Sequence, residues 1–335
     1  GETVAAMPFF KYRGFNVFYE FAGEGNGPVI VFINGITQRT PHWASYAEHL
    51  KQHGIRTITY DQLGQGASDK PVLDYDFEEN SDILLALLDA CGVEKAYIAG
   101  ISFGGTIVLK FGLKYPQRCA GLIPMSAFSE IDARLLSIGV SMYQGLTQVG
   151  FEYLIDWLIP INFSSAFIDS FGPGIAAIRR TSANVNDLYS IQNLIESIRT
   201  MPREGFTAEL PAITCPALIM NAEFDYLTPR WCHEKIREAI ANSRLILIQH
   251  AYHAFTMEFP DVSLRVLREF IHSVEDGTWS GDQSVWIAND DATAEPWAFP
   301  CRGDHRRSIP LALPEQAPAA PTALPARKPR TRRKN

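Results

Sequence analysis

The chain has 335 residues, 46% of them hydrophobic, and a formal charge of −7 at pH 7. That length and composition can bury a large core and fit one sizeable domain carrying an insertion, or two domains. The acidic balance argues against nucleic-acid binding by the folded body, and no uninterrupted apolar run reaches the roughly 18 residues of a membrane span.

Met7 is read as the natural start behind a short leading remnant, and residues 1–10 lack the basic and apolar regions of a secretory signal. Cys91, Cys119, Cys215, Cys232 and Cys301 are scattered, odd in number and form no Cys-x-x-Cys pair. This predicts free thiols in a reducing, cytoplasmic setting and no metal centre built from them. No cofactor is expected.

Phe9 to Phe21 alternates around Arg13-Gly14 and reads as an opening hairpin. Val29 to Ile33 is a continuous apolar run, the pattern of a strand covered on both faces, and it ends in Asn34-Gly35-Ile36-Thr37. A helix over about His42–His53 leads to a second buried strand, Arg56–Tyr60, which ends in the glycine-bearing segment Asp61–Ser68. Asp82–Cys91 carries Ile83, Leu84, Leu87 and Leu88 at helical spacing.

The strand Tyr97–Ile101 then runs into Gly100-Ile101-Ser102-Phe103-Gly104, followed by a helical pattern from Thr106 to Leu113. A Gly-x-Ser-x-Gly sequence between a strand and a helix lifts the serine hydroxyl clear of the backbone at a helix N-terminus, where free N–H groups favour developing negative charge. Gly121–Ser126 reads as the next strand.

From residue 128 to 210 no strand run is evident. The large apolar residues there, among them Met142, Leu158, Phe163 and Phe167, suggest an inserted helical cap whose own core takes most of them, a minority reaching a substrate pocket. The sheet pattern resumes at Pro216 and ends in Glu223-Phe224-Asp225. A helix Pro229–Ile240 and a strand Arg244–Ile248 lead to His250 and His253, and the helix Asp261–Val274 closes the pattern. The expected division is therefore core over 1–127, cap over 128–210 and core again over 211–275. Residues 276–307 form an acidic, loop-like extension, pinned to the body by Trp279, Trp286, Trp297 and Phe299; residues 308–335 form a disordered Pro/Ala-rich tail with a basic end of unassigned role.

Alternating apolar strands and amphipathic helices predict a mostly parallel, doubly wound sheet with ligands beyond the carboxyl ends of its strands, where all these glycine-bearing segments lie. The order and wording of the segments resemble the α/β-hydrolase superfamily over Phe9 to Val274. The resemblance implies a triad in the order Ser, acid, His: Ser102, Asp225 and His253. Glu223 competes as the acid, as does Glu130 after the strand ending at Ser126; His250 competes as the base. The remaining histidines, His42, His49, His53, His233, His272 and His305, are read as surface residues. Chemically, a serine hydroxyl becomes a competent nucleophile only when an oriented base removes its proton. The resemblance places the oxyanion donors at the backbone N–H groups of Phe103 and Ile36. Asn34 departs from the common pattern, in which His precedes Gly, and is expected to hold its loop through side-chain hydrogen bonds.

These residues predict acyl transfer through Ser102, with hydrolysis of a carboxylic ester, lactone or thioester of apolar acyl group as the first choice. A weaker likeness to the acyltransferase branch that joins 3-hydroxyacyl units in rhamnolipid precursor synthesis, carbon–carbon bond hydrolysis, and a non-catalytic ligand-binding role are the alternatives. The expected partner is a small-molecule ester or acyl substrate.

Overall fold

The computed structural model describes residues 8–71, 76–170, 176–177, 179–180, 205–288 and 299–300. Its central sheet runs β1 (Phe9–Tyr12), β2 (Phe15–Ala22), β3 (Val29–Ile33), β4 (Arg56–Tyr60), β5 (Ala96–Ile101), β6 (Cys119–Met125), β7 (Ala217–Phe224), β8 (Ser243–Tyr252), β9 (Val285–Ala288) and β10 (Phe299–Pro300) along the chain. In space the order is β1-β2-β4-β3-β5-β6-β7-β8-β9-β10. Strands β4 to β9 and β3 are mutually parallel, while β1, β2 and β10 are antiparallel to their neighbours.

The apolar runs explain why the sheet is covered on both faces. Along β3, Val29, Val31 and Ile33 pack into one core while Ile30 and Phe32 pack into the other, the period-two alternation of a strand buried on each side. The first core includes residues of α2 (Phe77–Ala90) and α3 (Phe103–Lys114). The second includes residues of α1 (Ala44–Gln52) and of a long late helix, Pro260–Glu275. This is an α/β-hydrolase fold, a mostly parallel sheet with a helical insertion.

The chain passes from β3 outward to β4 and returns to place β5 on the other side of β3. The carboxyl ends of β3 and β5 therefore flank a topological switch point, where an open α/β sheet leaves a crevice. The insertion covers that end with α4 (Ala133–Gln144), a π turn (Gly145–Val149), α5 (Phe151–Asn162) and α6 (Ser165–Asp169).

Three expectations need correction. Helix α2 begins at Phe77 instead of Asp82, because Asp76 caps it by accepting the Glu79 N–H at 2.8 Å and Glu78 and Glu79 suit its positive end. Strand β8 continues past Ile248 to Tyr252: His250 turns through φ 67° and its N–H donates to Glu223 Oε2 at 2.7 Å, so pairing with β7 resumes after a bulge. The segment after residue 276 is not loop-like throughout, since Val285–Ala288 adds a parallel strand to β8 and closes off that edge. The expected pinning of this segment is present at two tryptophans. Trp279 meets Phe270 edge-on at 4.8 Å, and the Arg244 guanidinium lies 5.3 Å from the Trp279 ring and 5.2 Å from the Trp286 ring. Trp297, Cys301, His305 and the basic tail lie outside the described residues. Among the described residues no helix is long and apolar enough to cross a membrane.

Candidate active site

Ser102 sits between β5 and α3 with φ 57° and ψ −117°, a conformation that a non-glycine residue holds only when its surroundings impose it. Two glycines allow this crowding. A Cβ on Gly100 would lie 2.5 Å from the Gly104 carbonyl oxygen, and one on Gly104 would strike the Ile33 and Asn34 carbonyl oxygens. The backbone is held by Ser102 N–H donating to Met125 O at 2.9 Å.

Of the sequence candidates, the structure brings Ser102, His253 and Asp225 together. Ser102 Oγ and His253 Nε2 are 3.0 Å apart, and His253 Nδ1 is 2.9 Å from both Asp225 oxygens. Asp225 is buried and accepts three further bonds from one turn: Leu227 N–H at 3.1 Å, Thr228 N–H at 2.8 Å and Thr228 Oγ1 at 2.8 Å. Burial pushes its carboxyl up, but the facing His253 and these donors outweigh burial and hold it below the usual carboxylate range. The competitors lie elsewhere. Exposed His250 faces Glu223 at 3.9 Å, and Glu130 pairs with Lys235 at 3.0 Å.

Several partners fix the His253 loop. Ser126 Oγ donates to His253 O at 2.9 Å. The backbone N–H groups of His253 and Ala254 donate to Ile161 O and Asn162 O, carbonyls at the open end of α5, so one contact serves both the loop and the end of the cap helix.

Phe103 opens α3 directly after Ser102, and Ile36, on the loop after β3, lines the same cavity as Ser102. That loop is tied to the one after β4. Gln65 Nε2 donates to Gly35 O at 2.7 Å and Ile36 O at 2.8 Å, and Gln62 Nε2 to Asn34 O at 2.7 Å. Asp61 accepts from the Thr40 N–H and hydroxyl. Asn34 behaves as expected, donating to Tyr60 O at 2.9 Å while accepting from Trp43 Nε1 at 2.8 Å. In a planar trans peptide the N–H points opposite to the C=O, so Gln65 turns the Ile36 N–H away from itself.

Sequence reasoning missed Gln65, although it lies inside the quoted Asp61–Ser68 segment. It also misplaced two histidines. His233 is fully buried, Nε2 accepting the Ala127 N–H at 2.9 Å and Nδ1 lying 3.2 Å from Pro229 O; burial pushes its pKa down to about 4, against the opposing pull of Asp225. His42 is half-buried in the wall of the site. Both stand on helices whose polar appearance in sequence gave no sign of what packs over them.

Above Ser102 lies a cavity of about 150 Å³. Its apolar side comes from Met142, Ile155, Leu158, Ile159 and Phe163 of the cap, with Met257 beyond His253. Among the described residues, no group of three or more His, Cys, Asp and Glu side chains is placed to hold a metal ion.

Comparison with known proteins agrees with the fold. The alpha/beta hydrolase fold model matches residues 28–260. A proline iminopeptidase from Saccharolobus solfataricus is 26% identical over 285 residues, covering 78% of this chain and 90% of that protein. The enol-lactonase of Burkholderia xenovorans LB400 is similar in structure with a TM-score of 0.72 at 23% identity, over 79% of this chain and 100% of that one. A thermophilic esterase from Thermogutta terrifontis follows with 0.70 at 24% identity, over 79% and 97%. With more than half its length matched by that model, the chain belongs to the alpha/beta hydrolase fold family.

Proposed function

We propose that the protein is a serine hydrolase that cleaves a carboxylic ester, with lactones and thioesters in the same reaction class, through an acyl-enzyme on Ser102. The observation that carries this reading is the unbroken line Ser102 Oγ, His253 Nε2, His253 Nδ1, Asp225 at 3.0 and 2.9 Å, on the floor of a largely apolar cavity. The relatives' names, an esterase and an enol-lactonase among them, favour the same class.

His253 Nε2 takes the Ser102 proton as Oγ bonds to the ester carbon, and the resulting imidazolium faces Asp225. The carbonyl oxygen, now an anion, is met by the Phe103 and Ile36 N–H groups. Collapse breaks the bond to the alkoxy group, which receives the proton from His253. Water then repeats the sequence on the acyl-enzyme, releasing the acid and restoring Ser102. The apolar acyl part lies against Leu158, Ile159 and Phe163.

The test is a panel of esters, thioesters and lactones of graded acyl length, with Ser102→Ala as the blank and fluorophosphonate labelling of the wild type. Turnover confined to the wild type, together with labelling, is expected. Labelling without turnover of any member would sink the hydrolase reading and favour a binding protein.

A further inference from the structure

The cavity wall formed by the loop after β3 is polar in a particular sense. Gln38 Oε1 accepts the Gly35 N–H at 2.8 Å, which fixes the side-chain amide with its oxygen toward the backbone. Gln38 lines the cavity, and among the described residues nothing accepts from its Nε2. His42 is held alike. Its Nδ1 accepts the Arg39 N–H at 3.2 Å, so the neutral ring carries its proton on Nε2. Burial and the neighbouring Arg39 favour that neutral form, against a smaller opposing effect of Asp61. His42 also lines the cavity, and among the described residues nothing accepts from Nε2.

Gln38 and His42, which line the same cavity as Ser102 together with the polar residues Thr37 and Asn162, thus each keep a donor Nε2 while a backbone N–H holds the other polar atom. No carboxylate, lysine or arginine among the described residues lines the cavity, so no counter-ion awaits a charged substrate. A plain alkyl ligand would displace water from these N–H groups and leave them unpaired, which is costly. A ligand with a second acceptor oxygen would satisfy them, and sites built this way discriminate against analogues that lack the oxygen.

Building on the esterase reading, we propose that the substrate is an uncharged ester with a second acceptor oxygen, an ether, oxo or amide oxygen, close to the scissile carbonyl, held by Gln38 Nε2 and His42 Nε2. The two residues set specificity; neither takes part in proton transfer.

Isosteric pairs test this. p-Nitrophenyl methoxyacetate and p-nitrophenyl butanoate differ by one oxygen on the acyl side, and 2-methoxyethyl butanoate and butyl butanoate by one oxygen on the alcohol side. After division by spontaneous hydrolysis rates, kcat/KM of the wild type is expected to favour one ether ester over its isostere by about tenfold. Gln38→Glu, which keeps the acceptor for Gly35 N–H, and His42→Phe should each cut that preference about threefold or more. Any general loss of rate in these variants cancels in the ratio. A wild-type ratio near one for both pairs, or a preference that both variants retain, would overturn the proposal. If the wild type cleaves none of the four, the esterase reading fails separately. The subsite is then read by calorimetric titration of Ser102→Ala with the same esters: tighter binding of an ether ester, removed by Gln38→Glu, supports it, and equal or absent binding overturns it.

Discussion

Gln65 Nε2 donates to the Ile36 carbonyl oxygen at 2.8 Å while also holding that of Gly35, so one buried amide fixes two consecutive peptides of the loop facing Ser102. Gln65→Met removes both donors at similar length and frees the Ile36 N–H to turn. Loss of one oxyanion donor costs about 10²-fold in kcat elsewhere, so a fall of about 10- to 100-fold with KM nearly unchanged is expected. Circular dichroism confirms folding; an unchanged kcat in a folded variant would show that the loop keeps its shape without Gln65.

Asp225→Asn should keep the fold and lower kcat by about 10⁴-fold, the loss found for the same change in a serine protease, because the carboxylate matters most once His253 is charged. Glu223→Gln should cost little, since that side chain accepts the His250 N–H and the amide oxygen of Gln can accept it too. Steady-state kinetics of both variants on one ester decide the matter. A nearly active Asp225→Asn beside an inactive Glu223→Gln would move the acid.

His233 links acid stability to the site. Its pKa is lowered from 6.5 to about 4 in the fold, so between those values the unfolded chain binds the proton and the native one does not. Its contribution is therefore fully present above pH 6.5 and fades as pH falls toward 4, amounting to about 3 kcal/mol. His42, His49 and His53 are lowered too and act in the same direction, so comparison with a variant is needed to isolate His233. Urea unfolding across pH 7 to 4 should give a visibly flatter profile for His233→Gln than for the wild type. Parallel profiles would remove His233 from the account.

The strands were legible because their burial is written in sequence. Val29–Ile33, Arg56–Tyr60 and the approach to Ser102 carry unbroken apolar or β-branched runs that no helix spacing fits. The triad geometry followed because its members lie at strand ends. Features that depend on distant partners were not legible. Val285–Ala288 is too short and too acidically flanked to announce a strand, and forms one because the β8 edge is available. His42 and His233 owe their burial to other elements packing over them, and Gln65 owes its role to a loop about thirty residues away.

Removing everything from Trp279 onward should destabilise the protein, since it strips β9 from β8 and the ring from Phe270. Trp279→Ala alone should cost about 2–3 kcal/mol and lower Tm by about 5 °C or more. Differential scanning calorimetry checks both, and an unaltered Tm for the shortened chain would mean that the extension adds nothing to the fold.

The most direct test of the central claim is kcat/KM for one good ester measured side by side on the wild type, Ser102→Ala, His253→Ala and His250→Ala. Loss of Ser102 or His253 should each remove nearly all turnover, by about 10⁶-fold where the triad acts as a unit, while His250→Ala stays close to the wild type. Wild-type rates in Ser102→Ala, or an inactive His250→Ala beside an active His253→Ala, would contradict it.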